Sequence, residues 1–175
     1  MPEFNSPESI KEPKLVDLFS QQMISKFQVE GKVYQRKIEP IRGAEQLTEE
    51  RRVQTLLPDG TIESSFNGKL GEWVITGAKG EQFVFTAKKF DSLYNPDGKG
   101  GWLPKERKIL AIPNHFGSPV KISAPWSTPE KPDFQEGSEK CFFVVSLDEH
   151  GNLTNDRYII GDEQLLLSNY MLAEK

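Results

Sequence analysis

The chain is poor in the residues that build redox, metal and nucleophile chemistry: its 175 residues include one cysteine and two histidines. A lone cysteine closes no internal disulfide, so nothing calls for an oxidising compartment and the cytoplasm is the expected location. A zinc site needs three or four His, Cys or carboxylate ligands. Cys141, His115 and His150 have no ligand-like spacing, so neither a metal nor a cofactor is expected. Basic excess is also missing, with 22 Lys and Arg against 26 Asp and Glu and a formal charge of −4. That balance argues against a dedicated duplex-binding surface, because affinity for a phosphate backbone comes mainly from clustered Lys and Arg. Long apolar runs are absent: the longest, Cys141 to Val145, is strand-sized, whereas a spanning helix needs about 18 residues. No membrane association is expected. The opening Met1-Pro-Glu-Phe-Asn-Ser6 lacks the basic-then-apolar order of an export signal, and its Glu3-Phe4 pair reads as a cloning remnant. Without such a signal the glycosylation pattern Asn152-Leu-Thr154 carries no weight.

What is present suits a soluble globular protein. Hydrophobic residues make up 36% and include 11 Phe, 3 Trp and 4 Tyr, enough to supply a core, while 27% charged residues keep the surface wet. The length suits one ordinary domain or two small lobes. After Pro13, the spacing of Leu15, Val16, Phe19, Met23 and Phe27 predicts an amphipathic helix ending near Gly31. Lys32 to Pro40 reads as an edge strand stopped by its proline, and Ala44 to Arg52 as a short helical turn. Val53–Leu57 and Thr61–Ser64 flank Pro58-Asp59-Gly60, a turn signal that predicts a hairpin.

The clearest local pattern runs from Gly71 to Tyr94. In Glu72-Trp-Val-Ile-Thr76, Trp73 and Ile75 face one side and Val74 the other. Across the Gly77-Ala-Lys-Gly80 turn, Phe83 and Phe85 repeat the alternation. Thr86 can cap a short helix over which Phe90 and Tyr94, four residues apart, close on the hairpin. The last forty residues follow the same plan: a Cys141–Val145 strand, an Asp148–Asn152 turn, an Arg157–Ile160 strand, and a helix capped by Asp162 that carries Leu166 and Tyr170. Between them lie the glycine-rich Asn95–Gly101, read as a connection between lobes, strands at Lys108–Ile112 and Pro119–Ser123, and an irregular Pro125–Pro132 loop.

The expected fold is therefore α+β and mostly antiparallel: two related hairpin-plus-short-helix lobes with an N-terminal amphipathic helix. Residues 1–12 form a disordered tail or cloning remnant, 13–95 the helix and first lobe, and 96–175 the second, unless one continuous sheet serves both.

The words Gly71-Glu-Trp-Val-Ile-Thr-Gly77, Gly80-Glu81-Gln-Phe83 and Phe90-Asp-Ser-Leu-Tyr94 resemble the PGDYG family and related small phage-associated proteins, in the form that carries the unit twice. The similarity extends backward to Tyr34-Gln-Arg-Lys37 and forward to Ala124-Pro125-Trp126. It implies a signature of Gly71, Glu72, Trp73, Gly77, Gly80, Glu81, Phe90 and Tyr94, and an architecture without an assigned activity. Two positions depart from the family pattern, where Leu70 stands for Pro and Glu72 for Asp. The residues themselves give these positions structural work: Gly71 permits an unusual φ at strand entry, and Trp73 buries a large ring.

Three functions stay open on this sequence. The first is a non-catalytic interaction or accessory module for a protein partner. The second is an enzyme or small-molecule binder in the inter-lobe loops, with Asp97, Trp102, His115 and Trp126 around one cleft; His115, between Asn114 and Phe116, is its candidate base. The third is a single-strand nucleic-acid binder using Lys88, Lys89, Lys99, Lys105, Arg107 and Lys108 near Trp102. Cys141 reads as a small core side chain and His150 as a solvated turn residue.

Overall fold

The computed structural model describes residues 12–56, 62–77, 80–125 and 127–173. The tail up to residue 11, the turn at Pro58-Asp59-Gly60, Ala78-Lys79 and Trp126 lie outside these residues. In chain order the elements are β1 (Lys14–Leu15), α1 (Gln21–Glu30), β2 (Lys32–Arg36), β3 (Gly43–Gln46), β4 (Arg51–Leu56), β5 (Ile62–Gly68), β6 (Trp73–Thr76) and β7 (Gln82–Phe85). They continue as α2 (Ala87–Leu93), β8 (Tyr94–Pro96), β9 (Trp102–Pro104), β10 (Lys108–Pro113), β11 (Val120–Ser123), β12 (Phe134–Gly137), β13 (Phe142–Leu147), β14 (Leu153–Ile160), α3 (Glu163–Asn169) and β15 (Tyr170–Leu172). The fold is α+β and dominated by antiparallel sheet. Among the described residues no helix is long and apolar enough to cross a membrane.

The largest sheet has the order β14-β13-β10-β2-β15, antiparallel throughout. The apolar run at Cys141–Val145 has its explanation here, because β13 is covered on both faces. Phe143 and Val145 meet Met23 and Phe27 of α1, while Val144 meets Leu166 of α3. A strand buried on both sides shows no polar alternation. A second sheet, β3-β6-β7, carries the Gly71–Tyr94 unit. Val74 and Val84 face Leu47 and Val53 on one side, and Ile75, Trp73 and Phe85 face Phe90 and Tyr94 on the other. The β6–β7 register pairs Trp73 with Phe85 and Ile75 with Phe83, as the alternation requires.

The first unit is held by rings. Trp73 stacks on Phe90 with centroids 4.1 Å apart, and Trp102 meets Phe90 edge-on at 4.7 Å. The Thr86 hydroxyl accepts from the Lys89 amide and starts α2. Two signature glycines have steric reasons. Gly71 has φ of +89°, a conformation that L side chains rarely adopt. At Gly77 a Cβ would lie 2.5 Å from the Glu81 carboxylate, which is buried beneath the turn.

Several expectations are corrected. The helix predicted from Pro13 starts only at Gln21, because Ser20 caps it: its hydroxyl accepts from the Met23 amide at 3.2 Å. Upstream, β1 pairs in parallel with β11, and Leu15 and Phe19 are exposed rather than on a buried helix face. The edge strand expected at Lys32–Pro40 is an interior one, since β15 pairs along its outer side. The helical turn expected at Ala44–Arg52 is instead β3 and the start of β4. Pairing with β6 satisfies the β3 backbone and overrides a helix-favouring composition. Asn95–Gly101 forms the tip of the β8–β9 hairpin. Finally, β1, α1 and β2 precede the division expected near Asn95, yet they pair and pack with β10, β11 and β15 beyond it.

Two substitutions test this packing by denaturant unfolding. Phe90→Ala removes a fully buried ring from the stack and is expected to cost about 3–5 kcal/mol, with a smaller loss for the half-buried Trp73→Ala. Gly77→Ala forces the Glu81 carboxylate from its place and is expected to cost about 1–3 kcal/mol.

Candidate functional site

Of the four residues expected around one cleft, Asp97 and Trp102 lie in the β8–β9 hairpin and His115 in the β10–β11 loop. Asp97 closes the β8–β9 tip, accepting from the amides of Lys99 at 2.7 Å and Gly101 at 2.9 Å, and these bonds hold its carboxyl below the usual value. Trp102 is packed against Trp73 and Phe90, where its ring supports the first unit. His115 lies in the β10–β11 loop, its ring 4.2 Å from Phe116 and 6.2 Å from Phe143. Trp126 is outside the described residues. Cys141 is fully buried in the core beside Phe143 and Ile159, and His150 is an exposed turn residue whose amide donates to Asp148.

Three of the six residues in the basic group read from the sequence are engaged by their own contacts. Lys89 pairs with Asp156 at 3.4 Å, Lys105 donates to the Asp91 carbonyl at 2.7 Å, and Arg107 turns inward. Trp102, which would have stacked bases, is in the ring cluster. Among the described residues, no group of three or more His, Cys, Asp or Glu is placed to hold a metal ion.

What the fold does build is a cleft of about 940 Å³ whose walls come from both hairpin–helix units. Each unit contributes the same local device. A seven-residue helix, capped by Thr86 or by Asp162, ends at a buried tyrosine in extended conformation, Tyr94 in one and Tyr170 in the other. Both tyrosines line the cleft, together with Arg36, Arg107, Tyr158 and Asn169. Arg107 reaches them because it directly precedes β10. Its Nη2 donates to the Tyr158 hydroxyl at 2.6 Å and to the Tyr170 hydroxyl, and these two hydroxyls lie 3.2 Å apart. Its Nε is buried with no acceptor. Arg36, the last residue of β2, donates through Nη1 to the Asn169 carbonyl at 2.9 Å and lies over the Tyr170 ring at 5.6 Å. The Asn169 amide in turn donates to the buried Glu81 at 2.8 Å, so a signature residue of the first unit is bonded to the helix end of the second.

The electrostatics of this cluster keep its groups protonated. Burial works against the Arg107 cation, but the Tyr158 and Tyr170 oxygens and the Asp156 carboxylate more than offset it, and its pKa lies above that of an ordinary arginine. Burial raises the Tyr94 hydroxyl, opposed by Arg36 and Arg107, and raises Tyr158 well above the usual phenol, opposed by Arg107. All three groups therefore act as hydrogen-bond donors at neutral pH.

Sequence reasoning named Tyr94 and Glu81 only as structural signature, named Arg107 only as part of a surface basic group, and missed Arg36, Tyr158 and Asn169 as site residues. The available signal was the matched placement of Tyr94 and Tyr170 after two capped helices. No family model, curated protein or solved structure matches the chain.

His115 yields a pH prediction. Burial, then Lys26, holds its imidazole below the ordinary histidine value, with a hydrogen bond to the Pro113 backbone and Glu30 acting the other way. Between that lowered value and the unfolded value of about 6.5 the unfolded chain binds more protons, so stability rises with pH through this window and is lost as pH falls. The unfolding midpoint is expected to drop as pH falls below the unfolded value of about 6.5, and to drop less in His115→Asn. An unchanged pH slope in the variant would show that another group is responsible.

Proposed function

We propose that the protein is a non-catalytic binding module in which the cleft between the two hairpin–helix units receives an anionic partner. The observation that carries this reading is the charge of the cleft. Its described lining residues include seven cationic side chains against three acidic ones, in a chain whose formal charge is −4. A concave, low-dielectric wall of one sign concentrates ligands of the other. The volume is that of small-molecule and peptide-end sites.

The shared plan of the units, a hairpin, a capped seven-residue helix and a buried tyrosine, supports reading them as related lobes whose junction does the binding. The sequence words from Gly71 to Tyr94 support placing the chain with small bacterial and phage-associated accessory proteins of the cytoplasm. The enzyme reading draws less support, because its candidate base His115 packs against Phe116 and Phe143 while Asp97 and Trp102 belong to the β8–β9 hairpin. The single-strand reading draws less support, because its stacking ring, Trp102, is half-buried against Trp73 and Phe90.

Amide NMR of the full chain, titrated with oligoglutamate and with oligolysine peptides, tests the proposal. Oligoglutamate is expected to perturb resonances around Lys89, Lys105 and Asp156, with affinity falling as salt rises. The double charge reversal Lys89→Glu with Lys105→Glu is expected to weaken it about tenfold. An equal response to both peptides, or perturbation confined to the 97–101 and 114–118 loops, overturns it.

A further inference from the structure

Within the cleft, hydrogen-bond donors and acceptors do not balance. Among the described residues, neither Arg36 nor Arg107 forms an ion pair with a carboxylate. Asp156, the acid that Arg107 senses most directly, is taken by the Ser146 hydroxyl at 2.8 Å and by Lys89. Nη2 of Arg107 serves both tyrosine hydroxyls, and its Nε is buried without an acceptor.

The two hydroxyls add to the surplus. At 3.2 Å one of them donates to the other. The second proton meets no acceptor among the hydrogen bonds of the described residues. Tyr94 stands beside both guanidinium groups, and Arg36 and Arg107 lie over the Tyr170 ring at 5.6 and 5.8 Å. Two arginines and three phenols thus converge on one wall of an open cleft with donors to spare. An unmet buried donor costs about 1–3 kcal/mol. Guanidinium groups and hydroxyls in this number match the lone pairs of a tetrahedral or planar oxyanion.

We infer that Arg36, Arg107, Tyr158 and Tyr170, with Tyr94 beside them, form a subsite for the phosphate or carboxylate group of a small molecule. This rests on the cleft being the binding site and names the chemical group it would take. The oxyanion accepts from the arginines and from the free tyrosine proton, while Asn169, bonded to Arg36 and to Glu81, fixes the arginine against the first unit.

Calorimetric and NMR titrations of the full chain with inorganic phosphate, pyrophosphate and succinate test it. Saturable binding of at least one probe is expected at about 1 mM or tighter, with the Arg107 Hε and Tyr158 ring resonances shifting. Arg36→Gln and Arg107→Lys are each expected to weaken it about tenfold or more. Tyr158→Phe with Tyr170→Phe should weaken it less. If an Arg107 variant unfolds, Arg36→Gln decides, since Arg36 takes no part in the hydrogen bonds among Arg107, Tyr158 and Tyr170.

Preference for phosphate and pyrophosphate assigns a phosphate ligand, preference for succinate a carboxylate one, and either supports the subsite. Binding of no probe, or equal binding in Arg36→Gln and the wild type, overturns it. If oligoglutamate still perturbs the Lys89 and Lys105 region in that case, the cleft stands and only the oxyanion subsite falls. If that response is lost as well, both readings fall.

Discussion

β2 holds the molecule together because it is paired on both sides, with β10 on one and β15 on the other. That double pairing draws a segment from the start of the chain into the middle of a sheet made otherwise from its second half. It also sets the direction in which Arg36 leaves the strand. Arg36 opposes Tyr170 in the register, so the end of β2, the end of α3 and the first residue of β15 meet at one point. Without β2 between them, β10 and β15 would have no common neighbour, and the wall on which the arginines and tyrosines converge would not exist.

The contact between the two units is polar where it meets the cleft. Glu81 sits under the Gly77 turn and accepts from Asn169, which is itself bonded to Arg36. Lys89 reaches Asp156 from the other unit at a more exposed position. The buried link is the stronger candidate for fixing how the units sit, because an exposed pair is weakened by solvent screening and by the entropy of two long side chains. The apolar clusters lie on opposite sides of this seam: Trp73, Phe90 and Trp102 in one unit, Val144, Leu166 and Tyr170 in the other. Each unit brings its own packed core to the junction, and the space left between them is the cleft.

The parts of the fold legible in the sequence were those with short-range causes. The alternation of Trp73, Val74 and Ile75 specified the two faces of β6, and Thr86 and Asp162 started helices where their side chains could accept first-turn amides. The failures have equally specific causes. Val16 keeps the helical spacing of Met23 and Phe27 and is buried in the same cluster, so a helical period fitted it although the chain reaches that core through a strand and a turn. Charged residues in Lys32–Arg36 suggested an exposed edge, but their long apolar stems tolerate half-burial once β15 covers the strand. Among candidate site residues, Asp97 and His115 were conspicuous by type, and each is occupied by its own loop.

The sequence by itself determined the antiparallel α+β character, the two hairpin–helix units and the turn chemistry at Gly71, since each depends on contacts within a few residues or on backbone sterics. Only the tertiary structure decided that Arg36 and Arg107 lie with Tyr94, Tyr158 and Tyr170 in one cleft. Those residues are far apart along the chain, and they are brought together by strand order and by the docking of the units. Local propensity carries no information about strand order, and ordinary arginines and tyrosines look alike in sequence whether they are solvated at the surface or gathered around a site.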